Sequence, residues 1–203
     1  ARYTGFAFVH PERDRGRVPQ LVGTAVSQYG FRGIKVHRHD ARITREICDT
    51  ARAYGIPVLY DPMGEVSVVH LLAAEYPDVD FIIPHLGSFA DDWRAQSAFI
   101  PMLAHYRNIH GDTSGVRRFD LLLDAVNRAG PGKLLFGSDG PWLHPGVELE
   151  KVRALRLPPE GDRPALGGNL FRLISRLRRE PRSLPAGVTR ASPRAEDPWA
   201  TAT

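Results

Sequence analysis

His10, His37, Asp61, His85, Asp112 and Asp139 each stand at the end of a short apolar run, at intervals of 27, 24, 24, 27 and 27 residues. Imidazoles and carboxylates are the side chains that bind divalent ions and move protons near neutral pH. Six of them at nearly constant spacing predict one shared site built by a repeated unit. One strand, one helix and two loops take up about 25 residues. A repeat that sets such a residue at the carboxyl end of each strand describes the active face of a (β/α) barrel.

Within that geometry Asp139, His85 and Lys35 are the catalytic candidates. A carboxylate at Asp139 would bind a metal or take a proton from metal-bound water, whose pKa the ion brings to about 7. His85 would be a ligand or polarise the substrate, and Asp61 joins His85 and Asp139 as the candidate metal set. Lys35 precedes His37 by two residues, so both point to the barrel interior, where an ammonium must meet a partner or an anionic ligand. His37, His10, Asp112 and Trp142 are candidate substrate-binding residues. Asp112-Thr113-Ser114-Gly115 is suited to hold Lys35 or His85 in orientation. Each also has a plain structural reading. Asp61-Pro62 and Asp139 before Gly140-Pro141 are common turn sequences. His85 would cap a strand, Lys35 would pair with a neighbouring carboxylate, and Trp142 would pack in its loop.

The elements that must position these residues follow from the hydrophobic pattern. Strands are predicted at 5–10, 33–37, 57–61, 79–85, 108–112 and 133–139. Helices are predicted at 17–29, 43–54, 66–76, 89–106, 116–129 and 169–177, the fourth interrupted or restarted at Pro101. Strict alternation argues for a parallel sheet with outer helices. Ile34, Val36, Leu134 and Phe136 are expected under the helices. Phe6, Phe8, Leu135 and Gly137 are expected inside, beneath the polar ends. The fold class is α/β, a TIM-type barrel. About 175 residues of structured chain are too few for eight units, since complete barrels run to about 250 residues, so some six of eight are present.

Three segments resemble the amidohydrolase-related family, the branch that contains metal-dependent hydrolases and zinc-dependent decarboxylases. They are Gly30-Phe31-Arg32-Gly33-Ile34-Lys35-Val36-His37, Ile83-Pro84-His85-Leu86-Gly87 and Leu135-Phe136-Gly137-Ser138-Asp139. Asp112 to Gly115 and Leu166 to Leu173 are also similar to family segments. The resemblance implies an eight-stranded barrel with a divalent metal, zinc or manganese, and makes Asp139 the aspartate of the last strand. The six strands then correspond to the third through eighth, and the His-x-His pair of the first strand is missing. His37-Arg38-His39 has its letters but lies on the wrong strand. Asp61 departs as well, standing where the family usually has a histidine ligand.

The resemblance predicts a metal-dependent hydrolase that cleaves a C–N or C–O bond of a small carboxylated molecule, or decarboxylates it. The missing pair and the exchange at Asp61 leave a second prediction, a catalytically inactive barrel fragment serving as an interaction module. A TatD-like nuclease is the third. The globular domain is expected at 1–177 and a disordered basic tail at 178–203. Residues 1–175 hold 21 Lys and Arg against 20 Asp and Glu, while 176–203 hold six arginines against three acids. The folded part is therefore near neutral, which argues against nucleic acid as a partner. No apolar run approaches the roughly 18 residues of a membrane span. A single cysteine, Cys48, suits a reducing cytoplasm. The start at Ala1-Arg2, without methionine or signal peptide, suggests a missing front end. An open barrel also exposes strand edges that a homo-oligomer would cover.

Overall fold

A computed structural model describes residues 3–178. The expected tail lies outside these residues except for Arg178, whose backbone N–H donates to the Tyr54 carbonyl at 2.8 Å. Six parallel strands form one sheet in chain order. They are β1 (Ala7–Phe8), β2 (Ile34–His37), β3 (Val58–Asp61), β4 (Phe81–Ile83), β5 (Ile109–Asp112) and β6 (Leu134–Leu135). Register places His37 beside Asp61 and Asp112 beside Leu135, so the carboxyl ends of the strands lie on one rim.

Helices α1 (Val18–Ser27), α2 (Arg45–Tyr54), α3 (Ser67–Glu75), α4 (Trp93–His105) and α5 (Phe119–Ala129) connect successive strands. Gly55, at φ 63°, ends α2 in the left-handed conformation that a residue with Cβ resists. Asp92 caps α4, accepting from the Arg94 and Ala95 N–H groups. The predicted interruption at Pro101 does not occur: α4 runs through it. Pro101 and Ser97 are both exposed, so water can satisfy the carbonyl that the missing N–H would have met. Beyond β6 come α6 (Pro145–Ala154), α7 (Pro159–Arg163) and α8 (Asn169–Ile174). The pattern of apolar residues foretold only the last of these three.

The sheet has two apolar faces. Its outer face, with Ile34, Val36, Val58, Tyr60, Phe81, Ile83, Ile109 and Leu134, is buried beneath the helices. Its inner face forms a second cluster of Ile82, Leu135 and Leu173, with Phe6, Leu59 and Leu170 packed against it. Alternation along the strands thus sorts residues as expected: Leu134 lies outside and Leu135 inside.

Two members of the inner cluster come from α8, so the chain closes its own sheet from below. The Phe136 N–H donates to the Ala165 carbonyl at 2.8 Å, covering the open side of β6. Asn169 Nδ2 donates to the carbonyls of Leu134 at 2.7 Å and Pro131 at 2.9 Å. Arg176 pairs with Asp80, whose other oxygen meets His110 Nε2 at 3.0 Å.

Lys133 lies at this floor, donating to the Tyr106 carbonyl at 2.6 Å and the Arg107 carbonyl at 3.0 Å. Burial pushes its ammonium down to about 8. The unfolded chain, near 10.5, therefore holds more protons between these values, so stability rises with pH there. Allowing for its partial exposure, the expected gain from pH 8 to 10 is about 1 kcal/mol. Urea denaturation should show that rise in the parent chain and lack it in Lys133→Met.

Candidate active site at the carboxyl ends of the strands

Three expected residues converge on one atom. His37 Nε2 is 3.3 Å, and His85 Nε2 3.8 Å, from Asp61 Oδ2. The two contacts differ in kind because the far ring nitrogens have different partners. His37 Nδ1 accepts the His39 N–H at 3.1 Å, so Nε2 carries the proton and points it at Asp61. His85 Nδ1 lies 2.9 Å from the Ser114 carbonyl and 2.9 Å from Ser114 Oγ. A carbonyl only accepts, so Nδ1 is the protonated nitrogen and Nε2 offers its lone pair to the pocket. Asp61 Oδ1 is held by the Met63 N–H at 2.9 Å.

His85 is placed by a strained turn. Pro84 to Gly87 follows β4, with His85 at φ 56° and Leu86 at φ 49°. Two consecutive left-handed residues with side chains cost about 1–2 kcal/mol each. Buried partners hold them there. Asp112 Oδ1 accepts the His85 N–H at 3.2 Å, the Ser114 N–H at 2.8 Å and the Ser114 hydroxyl at 2.6 Å. Leu86 is fully enclosed. Gln96 from α4, also enclosed, donates to Ser88 Oγ at 3.1 Å and to the His85 carbonyl at 3.4 Å. Burial raises the Asp112 carboxyl above the ordinary carboxylate range, against the pull of Ser114 and His85. Asp112 thus supports His85 from beneath. Gly137 lets the chain pass, since a Cβ there would lie 2.6 Å from the Asp112 carboxyl.

Lys35 rises from the same inner face. Burial lowers its pKa, while the fields of Asp61, Asp112 and Asp139 oppose that shift. Among the described residues its ammonium has no hydrogen-bond or ion-pair partner. Burial likewise lowers His37, against the field of Asp61. Asp139 is exposed, at φ 48°, near enough for its charge to act on Lys35.

The other two expected residues are held differently. His10 Nδ1 accepts the N–H groups of Glu12 at 3.3 Å and Arg13 at 3.2 Å, which ties the ring to its own loop. Trp142 is 87% exposed and stands in solvent instead of forming a pocket wall. Gln96 and Ser88 carried no signal in the sequence, being a helix glutamine and a loop serine of ordinary type.

The donors present do not amount to a metal cage. Among the described residues no group of three His, Cys, Asp or Glu is arranged to hold an ion, so Asp61, His85 and Asp139 do not form one. His37 directs a proton, not a lone pair, at Asp61.

A parallel β-α sheet with this rim is the architecture of the amidohydrolases. The amidohydrolase family model matches residues 1–169, and the chain belongs to that family. No curated protein matches it. Among solved structures it is similar to 2,6-dihydroxybenzoate decarboxylase from Rhizobium, with 18% identity and a TM-score of 0.66 over 85% of this chain and 71% of that one. A putative amidohydrolase from Staphylococcus aureus is 15% identical, with a TM-score of 0.65 over 85% of this chain and 73% of its own. A 5-carboxyvanillate decarboxylase from Novosphingobium aromaticivorans, complexed with manganese, is 14% identical, with a TM-score of 0.65 over 85% and 64%. At these identities the likeness is one of fold.

Proposed function

We propose that the chain performs amidohydrolase-type chemistry on a small carboxylated molecule, hydrolysing a C–N or C–O bond. The observation that carries this reading is the meeting of two acceptors, His85 Nε2 and Asp61 Oδ2, 3.8 Å apart, on the rim that the unpartnered Lys35 ammonium faces. Lys35 receives the substrate carboxylate, which supplies the counter-charge it lacks. His85 Nε2 takes a proton from the attacking water and returns it to the leaving nitrogen or oxygen. The proton of His37 keeps Asp61 oriented, and Asp139 adds its negative charge to the field at Lys35. Decarboxylation is the second reading, favoured by the decarboxylases among the structural neighbours. There His85, once protonated, would deliver its proton to the carbon that loses carbon dioxide.

Manganese in one such neighbour supports a divalent ion, manganese or zinc, for which Asp61, His85 and Asp139 are the donors on offer. These donors do not complete a shell, so each proton step above belongs to a side chain. No helix among the described residues is long and apolar enough to cross a membrane. We place the protein in the cytoplasm, with a second copy over the free edge of β1.

The test is turnover of carboxylated amides, esters and hydroxybenzoates, with manganese or zinc added, followed by chromatography. His85→Gln should lower the rate by about 10²–10⁴, the usual worth of a positioned acid–base group. A parent chain inert on every compound would overturn the enzymatic reading and favour the inactive interaction module.

A further inference from the structure

Helix α6 buries a charged side chain where a docked helix usually buries an apolar stripe. Its buried residues are Glu148 and Val152. One oxygen, Glu148 Oε2, accepts the Gly115 N–H at 2.9 Å and the Lys151 ammonium at 2.7 Å. Lys151 Nζ in turn donates to the carbonyls of Val116 at 2.9 Å and Thr113 at 3.4 Å. The pair therefore grips the backbone on both sides of Ser114. A buried ion pair is a poor way to gain stability, since apolar residues of like volume often serve as well or better. What this pair supplies is a set of directed bonds to one short loop.

That loop fixes the far nitrogen of His85. The Ser114 carbonyl accepts from His85 Nδ1 at 2.9 Å. The Ser114 carbonyl and the Gly115 N–H belong to one trans peptide, so they are coplanar and point in opposite directions. Glu148 at one end of this amide therefore aims the other end at His85. Its charge also polarises the amide and strengthens the carbonyl as an acceptor. The loop runs close to the ring, for a Cβ on Gly115, at φ 65°, would lie 3.2 Å from His85 Nδ1.

We propose that Glu148 is a positioning residue that acts through the Ser114–Gly115 peptide, keeping the His85 proton on Nδ1 and the Nε2 lone pair toward the pocket. Its value to turnover rests on the reading of His85 Nε2 as the base. Lys151 holds the carboxylate in place and carries its counter-charge.

The experiment is nitrogen NMR of the histidine rings in the full chain, above the usual imidazole pKa, which separates Nδ1–H from Nε2–H forms. His85→Gln assigns the His85 signals. The parent chain should hold His85 in the Nδ1–H form in large excess. Glu148→Leu is made together with Lys151→Met, so that no buried charge is stranded. It should lower the ratio of Nδ1–H to Nε2–H about tenfold, the worth of one charge-assisted hydrogen bond. Glu148→Gln in the same Lys151→Met background returns an oxygen to the Gly115 N–H and should recover most of the ratio. Val152→Ala keeps the bond and removes packing from the same helix, so it should lower the melting temperature and leave the ratio alone. Turnover of carboxylated amides, esters and hydroxybenzoates should fall and recover with the ratio. Mixed forms in the parent chain, a ratio unmoved by removal of the pair, or one moved equally by Val152→Ala would overturn the positioning role. A ratio that moves while turnover does not would uphold that role and overturn His85 as the base.

Discussion

Asp112→Ala is expected to lower unfolding free energy by about 3 kcal/mol or more and to displace His85 from the rim. One oxygen, Asp112 Oδ1, accepts from the His85 N–H, the Ser114 N–H and the Ser114 hydroxyl, all poorly reached by water. Each buried donor left without an acceptor costs about 1–3 kcal/mol. The left-handed turn at His85 and Leu86 persists only while its surroundings over-determine it, so it relaxes when the carboxylate goes. Asp112→Asn keeps one acceptor oxygen and should cost about 1 kcal/mol. Urea denaturation measures the cost, and the His85 ring signals in a proton NMR spectrum report the movement. If alanine and asparagine proved equally mild, Asp112 would not be the support of this turn.

Leu173→Asp is expected to cost about 4 kcal/mol, close to the whole stability of many domains of this size. Leu173 is 1% exposed and packs with Ile82 and Leu135 on the inner face of the sheet. A carboxylate there loses those contacts and faces an apolar cluster. Phe171 on the same helix is 70% exposed, so Phe171→Asp should change stability by less than about 0.5 kcal/mol. Thermal melts of the two variants side by side would decide the matter. Similar melting temperatures would mean that α8 does not seal the sheet.

The repeated unit was legible because its signals are local. Strand alternation put Lys35 and His37 on one face and Ile34 and Val36 on the other, and the structure keeps that division. The rim was legible for the same reason: residues at equivalent points of successive parallel strands come side by side, as His37 and Asp61 do. What escaped notice depends on contacts between distant segments. The reversal of the chain at His85 and Leu86 is imposed by Asp112 and Ser114, 27 to 29 residues away. Helix α6 begins at Pro145-Gly146, which reads as a turn, yet its buried face carries only Glu148 and Val152. Glu148 pairs with Lys151 and accepts the Gly115 N–H, so an ion pair does the work that apolar periodicity normally reveals. Trp142 shows the opposite failure. A large aromatic beside a strand end suggests a pocket wall, but the loop turns it outward.

The order β1 to β6 along the sheet bears on biosynthesis. Among the described residues each strand pairs with the one before it, so each β-α repeat can settle against its predecessor as it leaves the ribosome. The exception is the final strand, whose outer N–H and inward leucine are met only when Ala165 and Leu173 emerge, some thirty to forty residues later. A nascent chain paused in that interval would present a bare, sticky flank, and that is where chaperone contact during translation would be concentrated.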